Sequence, residues 1–213
     1  MRPRTDTLPK ALLEAGGKPL IVWHIEKLAA AGFAQIVVNH AHLGAQIETQ
    51  LGNGTRFGVE ILYSRETQAL ETAGGIANAL PLLNAASFAA VNADVYSDYR
   101  YQQLAARVQE ITQTQSLAHL ILVDNPAHNP GGDFALDGRR VAADGPRLTF
   151  SGIAVYRSEL FAAVARGVAA PLAPLLRELI ALQRVSGEHY RGRWHDIGTP
   201  ERLTALNREL AER

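Results

Sequence analysis

The stretch that decides the fold is Phe88-Ala89-Ala90-Val91-Asn92-Ala93-Asp94-Val95-Tyr96-Ser97-Asp98, where a small apolar run turns acidic within a few residues. Phe88 to Val91 lack polar alternation, as expected of a strand covered on both faces in a parallel sheet. Asn92 and Asp94 lie two residues apart and share a face if the strand persists. In an open α/β sheet, ligands sit beyond the carboxyl ends of the strands. A carboxylate emerging there is well placed to hold a cation such as Mg²⁺ bridging phosphates. The plainer reading makes Asp94 and Asp98 caps of a helix beginning near Tyr99. Asp98 suits the cap and Asp94 the ligand.

Outward from this stretch, strands alternate with helices. A polar segment from Met1 to Gly17 leads into an amphipathic helix over Leu20 to Ala31, closed by Gly32. Strands are expected at Gln35 to Asn39 and Val59 to Ser64, with a helix over Leu43 to Leu51 between them. A helix from Gly74 to Leu83 precedes the Phe88 strand, one from Tyr99 to Val108 follows it, and His119 to Asp124 reads as another buried strand. This alternation predicts βαβ units and a parallel sheet. After Asp124 come turn residues at Asn125-Pro126 and Asn129-Pro130-Gly131-Gly132. Short antiparallel strands are expected at Asp133 to Leu136, Arg139 to Ala142 and Leu148 to Tyr156, then helices at Ser158 to Ala165 and Pro174 to Arg184. A hairpin is expected around Gly192, between Val185 to Tyr190 and Arg193 to Asp196. The last helix runs from Pro200 to Leu210, with Thr199 as its cap. No linker is evident, so the chain reads as one domain, residues 1–213. Residues 1–124 form an α/β half, and residues 125–213 a β-rich half that builds a pocket wall on it.

Composition narrows the function. The 213 residues are 47% hydrophobic, enough for a sizeable core, and 21 Lys and Arg balance 21 Asp and Glu. Nothing in that balance suggests a nucleic-acid or membrane partner. There is no cysteine, which excludes disulfides, thiolate metal sites and a cysteine nucleophile. No apolar run would span a bilayer and no signal h-region is present, so a cytoplasmic location is expected.

Three further groups are candidates for chemistry. Lys10, beside Pro9 in a polar loop, is able to neutralise a phosphate as a mobile point charge, although loop lysines are usually just solvated. Glu71-Thr72-Ala73-Gly74-Gly75 precedes a helix, and its small residues would let a base or phosphate approach closely; an ordinary cap by Thr72 is the alternative. Trp194-His195-Asp196-Ile197-Gly198-Thr199 sets a second acid just before a helix, where a turn role is equally open. His40 and His42 lack a third zinc ligand. Ser151 and His195 lack a Gly-x-Ser-x-Gly elbow, and neither a Walker loop nor Gly-x-Gly-x-x-Gly is present.

Four ordered motifs, Leu8-Pro9-Lys10, Leu70-Glu71-Thr72-Ala73-Gly74-Gly75-Ile76, Val91-Asn92-Ala93-Asp94-Val95 and Trp194-His195-Asp196-Ile197-Gly198-Thr199, together resemble the sugar-1-phosphate nucleotidyltransferases along essentially the whole chain. Leu122 to Pro126, Gly132 to Phe134, Leu148 to Ile153 and Val185 to Gly192 look like the branch that acts on N-acetylmuramate 1-phosphate with UTP in bacterial cell-wall recycling. The resemblance implies a Rossmann-like three-layer α/β/α fold with a mostly parallel central sheet. It implies that Lys10 meets the nucleotide phosphates, that Thr72, Ala73, Gly74 and Gly75 lie against the base, and that Asp94 and Asp196 hold Mg²⁺. Asn92, Asp133, Gly152 and Glu188 fall where sugar-phosphate contacts are expected. The implied reaction is attack of a sugar 1-phosphate on the α-phosphorus of UTP, releasing pyrophosphate. Mannose or glucose 1-phosphate is the alternative substrate, and a non-catalytic relative the alternative class.

The chain departs from this family at its beginning. The family opens with a strand and a glycine-rich loop bearing an arginine, ahead of the segment resembling Met1-Arg2-Pro3; neither Arg2 nor Arg4 sits at the matching position. The lost strand would be central, and each interior backbone group left unpaired costs about 1–3 kcal/mol. The expectation is that the functional protein extends roughly a dozen residues upstream, the length of a strand plus a loop. The chain as given is then expected to have a weakened fold and little or no activity.

Overall fold

The computed structural model describes residue 1 and residues 4–212; Arg2, Pro3 and the side chain of Arg4 lie outside the described residues. From the N-terminus the elements are α1 (Arg4–Thr7), a 3-10 turn at Lys10–Leu12, and two short strands, β1 (Glu14–Ala15) and β2 (Lys18–Pro19). Next come α2 (Leu20–Ala30), β3 (Gln35–His40), α3 (Gly44–Leu51), β4 (Glu60–Arg65) and α4 (Glu71–Leu83). The middle of the chain holds β5 (Ser87–Val91), β6 (Val95–Ser97), α5 (Tyr101–Ile111), β7 (Ala118–Val123), β8 (Phe134–Asp137), β9 (Arg140–Ala142) and β10 (Arg147–Arg157). It closes with α6 (Leu172–Ala181), β11 (Val185–Tyr190), β12 (Trp194–Asp196) and α7 (Pro200–Ala211).

The main sheet has six strands in the order β5-β10-β7-β11-β9-β8. All six residues of β7 are buried, because helices cover both faces. Leu120 and Leu122 point to a cluster with Leu172 and Leu176 of α6 and Ala73 and Ala77 of α4. Ile121 points the other way, to Leu104 and Ile111 of α5, as the two-residue period of a strand requires. The result is the expected three-layer α/β/α arrangement. Parallel pairing occurs in β3–β4 and β7–β11, whereas β10 runs antiparallel between β5 and β7. The sheet is therefore more mixed than strand and helix alternation suggests, because β10 arrives from the β8–β9 hairpin and not through a helical crossover. Since β10 lies between β5 and β7, residues 1–124 and 125–213 share one sheet.

β3 pairs with β4 alone and β5 with β10 alone, so each has one edge without a strand partner among the described residues. Between those edges lies a cavity of about 770 Å³, lined by Val37 and Val38 of β3, Ala89 and Ala90 of β5, Ile25 of α2 and Ile76 of α4.

Several local expectations are corrected. The β5 strand stops at Val91, and residues 92–94 form a turn, so Asn92 and Asp94 are not on one strand face. Asp98 does not cap α5, which starts at Tyr101 with Arg100 at its N-cap; its carboxylate accepts from the Tyr190 hydroxyl and the Arg193 N–H instead. α4 begins at Glu71 with Leu70 at its N-cap, which places Thr72 inside the helix. β11 and β12 do not form a hairpin: β11 joins β7 and β9, and β12 crosses to β6. Hydrophobic pattern sets the type of a strand but not its partner, and Arg191 and Gly192 let the chain leave the sheet. The segment after Ser158 makes only a 3-10 turn, Ser158–Phe161. Thr199 behaves as expected, its hydroxyl accepting from the N–H of Arg202 with Pro200 in the first turn.

Candidate functional site

Backbone pairing brings together the two segments that carry the acids. In the β6–β12 ladder Asp196 lies opposite Val95, the neighbour of Asp94, and the Ile197 N–H donates to the Asp94 carbonyl at 2.9 Å. Both carboxylates thereby emerge from adjacent chains beyond β5. Lys10 reaches Asp94 from the 3-10 turn, its Nζ 2.5 Å from Asp94 Oδ2, an ion pair that links positions 84 residues apart. Asp196 has two partners of its own, Arg202 Nη1 at 2.8 Å and His128 Nε2 at 3.2 Å. Each carboxylate is about one-third exposed, Asp94 at 36% and Asp196 at 30%, so both remain within reach of a ligand from solvent.

This donor set suits Mg²⁺, which binds proteins through one or two carboxylates and leaves the rest of its shell to water and substrate phosphates. No group of three or more His, Cys, Asp or Glu side chains able to hold a metal occurs among the described residues. His40 Nε2 lies 2.8 Å from Glu48 Oε1.

Beside the acids, a bulge in β10 shapes the wall. The β10–β7 register shifts between Phe150 and Ala154, and Gly152 sits there at φ +76°. The Gly152 carbonyl accepts from Asn92 N–H at 2.8 Å, and the Ser151 carbonyl accepts from the Trp194 indole at 2.8 Å. A Cβ on Gly152 would lie 2.7 Å from Asn92 Nδ2, so the close approach needs glycine for space as well as for backbone angle. Asp133 holds the same bulge, accepting from the Phe150 N–H at 2.7 Å. The structure thus brings Asn92, Asp94, Asp133, Gly152 and Asp196 to one end of the sheet.

Glu188 stands apart from these residues. Its carboxylate accepts from Tyr99 Oη at 2.5 Å and Arg107 Nη2 at 2.8 Å, with His119 Nε2 at 3.4 Å. Burial pushes the carboxyl up, but the neighbouring His119 imidazole and the hydrogen bonds from Tyr99 and Arg107 outweigh it and hold the group at about 2. Burial foremost, and then the hydrogen bond to Glu188, raise the Tyr99 hydroxyl well above its usual range.

The start of α4 lies across from the acids and borders the cavity between β3 and β5. The N–H groups of Ala73 and Gly74 both donate to the Ala170 carbonyl, at 3.0 and 3.1 Å, so neither is available to a phosphate. Gly74 is small because Val168 O would meet its Cβ at 2.3 Å. Gly75 presents its carbonyl to Asn39 Nδ2 at 2.6 Å. Thr72 is exposed at the helix start, open to a flat base.

His128 and Arg202 escaped the sequence reading. Arg202 follows the Thr199 cap by three residues, a first-turn position at which an arginine reaching back to Asp196 had a detectable signal. His128 lies in an Asn-Pro turn, and nothing local distinguishes it.

A three-layer α/β fold with two acids and a lysine beyond the strand ends suits a protein that handles phosphates. The chain belongs to the nucleotidyl transferase family, whose model matches residues 1–138. It is 50% identical over 208 residues to the N-acetylmuramate alpha-1-phosphate uridylyltransferase of Neisseria meningitidis serogroup B, covering 95% of this chain and 90% of that protein. A protein of the same name from Caulobacter vibrioides is 29% identical over 234 residues, covering 100% of this chain and 92% of its own length. Among solved structures, a putative glucose-1-phosphate thymidylyltransferase from Bacillus anthracis superposes with a TM-score of 0.85 at 18% identity, over 100% of this chain and 91% of that one; this likeness shows the fold.

Proposed function

We propose that the chain is a Mg²⁺-dependent uridylyltransferase of the cytoplasm. It would join N-acetylmuramate 1-phosphate to the uridylyl group of UTP, releasing pyrophosphate, in bacterial peptidoglycan recycling. The observation that carries the reading is the β6–β12 pairing, which sets Asp94 beside Asp196 with Lys10 on Asp94. The 50% identity to the meningococcal uridylyltransferase, over nearly its whole length, supports the choice of sugar and base.

The reacting phosphate is a monoester with a second pKa near ~6, so the nucleophile is already an anion at neutral pH and needs no general base. What the protein supplies is alignment and compensation for two anions brought together. Mg²⁺ held by Asp94 and Asp196 would supply charge neutralisation when bound. Lys10 exchanges Asp94 for a nucleotide phosphate oxygen, which its flexible stem allows. Thr72, exposed at the start of α4, would meet the uracil, with Ala73, Gly74 and Gly75 buried behind it. Asn92, Asp133 and Gly152 orient the sugar phosphate, while Glu188, apart from them on β11, stiffens the structure behind the site through Arg107 and Tyr99.

A substrate panel tests the proposal: UTP, GTP and dTTP against N-acetylmuramate, mannose and glucose 1-phosphates, each with Mg²⁺. Preference for UTP and the muramate sugar supports the assignment. Preference for mannose 1-phosphate with GTP moves it to the alternative sugar.

A further inference from the structure

We propose that His24 is a positioning residue for the acid pair, fixing the turn that presents Asp94 by holding the carbonyl of Val95. This rests on the functional reading above. His24 lies on α2 and is 4% exposed, and both ring nitrogens are engaged. Nε2 is 2.7 Å from the Val95 carbonyl oxygen and Nδ1 is 2.7 Å from the Tyr101 hydroxyl. A carbonyl only accepts, so Nε2 carries the proton. Nδ1 must then accept from Tyr101, and a single tautomer satisfies the whole relay. Tyr101 is 1% exposed, and its ring stacks on the imidazole at 6.1 Å with 4° between the planes.

The relay's position gives it consequence. β6 is only three residues long, and Val95 is its first. The Asp94 carbonyl is taken by the Ile197 N–H from β12, and the next carbonyl, that of Val95, is taken by His24 from α2. Two successive peptide groups are thus held from different elements, which leaves the Asp94 side chain little freedom to wander. The turn's other ties are Asn92 N–H to Gly152 O at 2.8 Å and Val95 N–H to Asn92 O at 3.4 Å. Burial first, with Lys27 adding to it, lowers the His24 pKa to about 4, so the ring stays neutral and keeps its tautomer at neutral pH. Groups standing behind metal ligands are worth about 10–100-fold in metal affinity or activity when removed. Here the backbone carries the effect.

The test compares His24→Leu, His24→Gln and Tyr101→Phe in the full chain. Glutamine can donate to Val95 and accept from Tyr101, whereas leucine can do neither. Three readouts are taken: Mn²⁺ binding by electron paramagnetic resonance, alone and with UTP; kcat and KM for pyrophosphate formation; and hydrogen exchange at the Val95 and Ile197 amides. His24→Leu is expected to weaken Mn²⁺ binding and lower kcat by about tenfold or more, with the sugar-phosphate KM little changed. His24→Gln is expected to restore both, and Tyr101→Phe to move them in the same direction by less. A folded His24→Leu that binds Mn²⁺ and turns over like the parent overturns the proposal. So does a His24→Gln that regains the parent melting temperature without regaining Mn²⁺ binding, since that separates packing from positioning. Should His24→Leu fail to fold, His24→Gln and Tyr101→Phe decide the matter by the same readouts. A parent that binds no Mn²⁺ and makes no pyrophosphate refutes the functional reading; faster exchange at Val95 and Ile197 in the variants then still supports the positioning role, and unchanged exchange refutes it.

Discussion

The N–H of Ile197 donates to the carbonyl of Asp94 at 2.9 Å, which joins two segments a hundred residues apart in sequence and aligns their acids at the end of the sheet. Lys10 closes the group from a third segment.

Replacing either acid by its amide leaves the backbone pairing intact, because β6 and β12 bond through main-chain atoms. Asp94→Asn and Asp196→Asn are therefore expected to keep the parent melting temperature and lose at least ~10²-fold in kcat, the scale seen when one electrostatic stabiliser is removed. Circular dichroism melting and a pyrophosphate assay check the two halves of the statement separately.

Acid should destabilise the protein in two stages. The His24 pKa falls from 6.5 to about 4 on folding, so the unfolded chain takes up a proton first, and stability declines as pH drops from 6.5 towards 4. Glu188 falls from 4.5 to about 2, so its contribution is lost lower, between pH 4.5 and 2. Melting temperatures from pH 8 to 5 check the first stage, and His24→Gln is expected to flatten it.

At Gly152 an added methyl group meets both the Asn92 side chain and a left-handed backbone. Gly152→Ala is expected to cost about 1–3 kcal/mol, with roughly 2–4 °C of melting temperature for each kcal/mol in a chain of this size. The sugar-phosphate KM should rise with it, since Asn92 has to move. Unchanged melting and KM would show that the bulge adapts.

Glu188→Gln keeps the shape and removes the charge facing Arg107. Arg107 retains Glu110 at 2.6 Å, and the pair is about one-fifth exposed, so the loss should stay near the lower end of roughly 1–3 kcal/mol. Urea denaturation measures it. A large rise in sugar-phosphate KM at unchanged stability would instead put the Glu188 carboxylate on the substrate.

Much of this was legible in the chain itself. The unalternating Phe88–Val91 run and the apolar His119–Asp124 stretch marked buried strands, the second one residue late, and Thr199-Pro200 marked the start of α7 to the residue. The end of β5 at Val91 was not, because Asn92-Ala93-Asp94 fits a continuing strand and a turn equally well until Gly152 claims the Asn92 N–H. The pairing of β12 with β6 was hidden because strand periodicity is local and partner choice is not. The helix read over Tyr99 to Val108 begins only at Tyr101, since Asp98 is drawn to Tyr190 and Arg193, ninety residues away. His24 resembled any polar residue on an amphipathic helix; its partners, Val95 and Tyr101, lie more than seventy residues on.

The central claim is that Asp94 and Asp196, set side by side by β6 and β12, serve nucleotidyl transfer. Its most direct test is pyrophosphate release from UTP and N-acetylmuramate 1-phosphate with Mg²⁺, in the parent protein and in the same protein carrying Asp94→Asn or Asp196→Asn. The account predicts Mg²⁺-dependent release by the parent, abolished by either substitution. Undiminished release by both folded variants would contradict it.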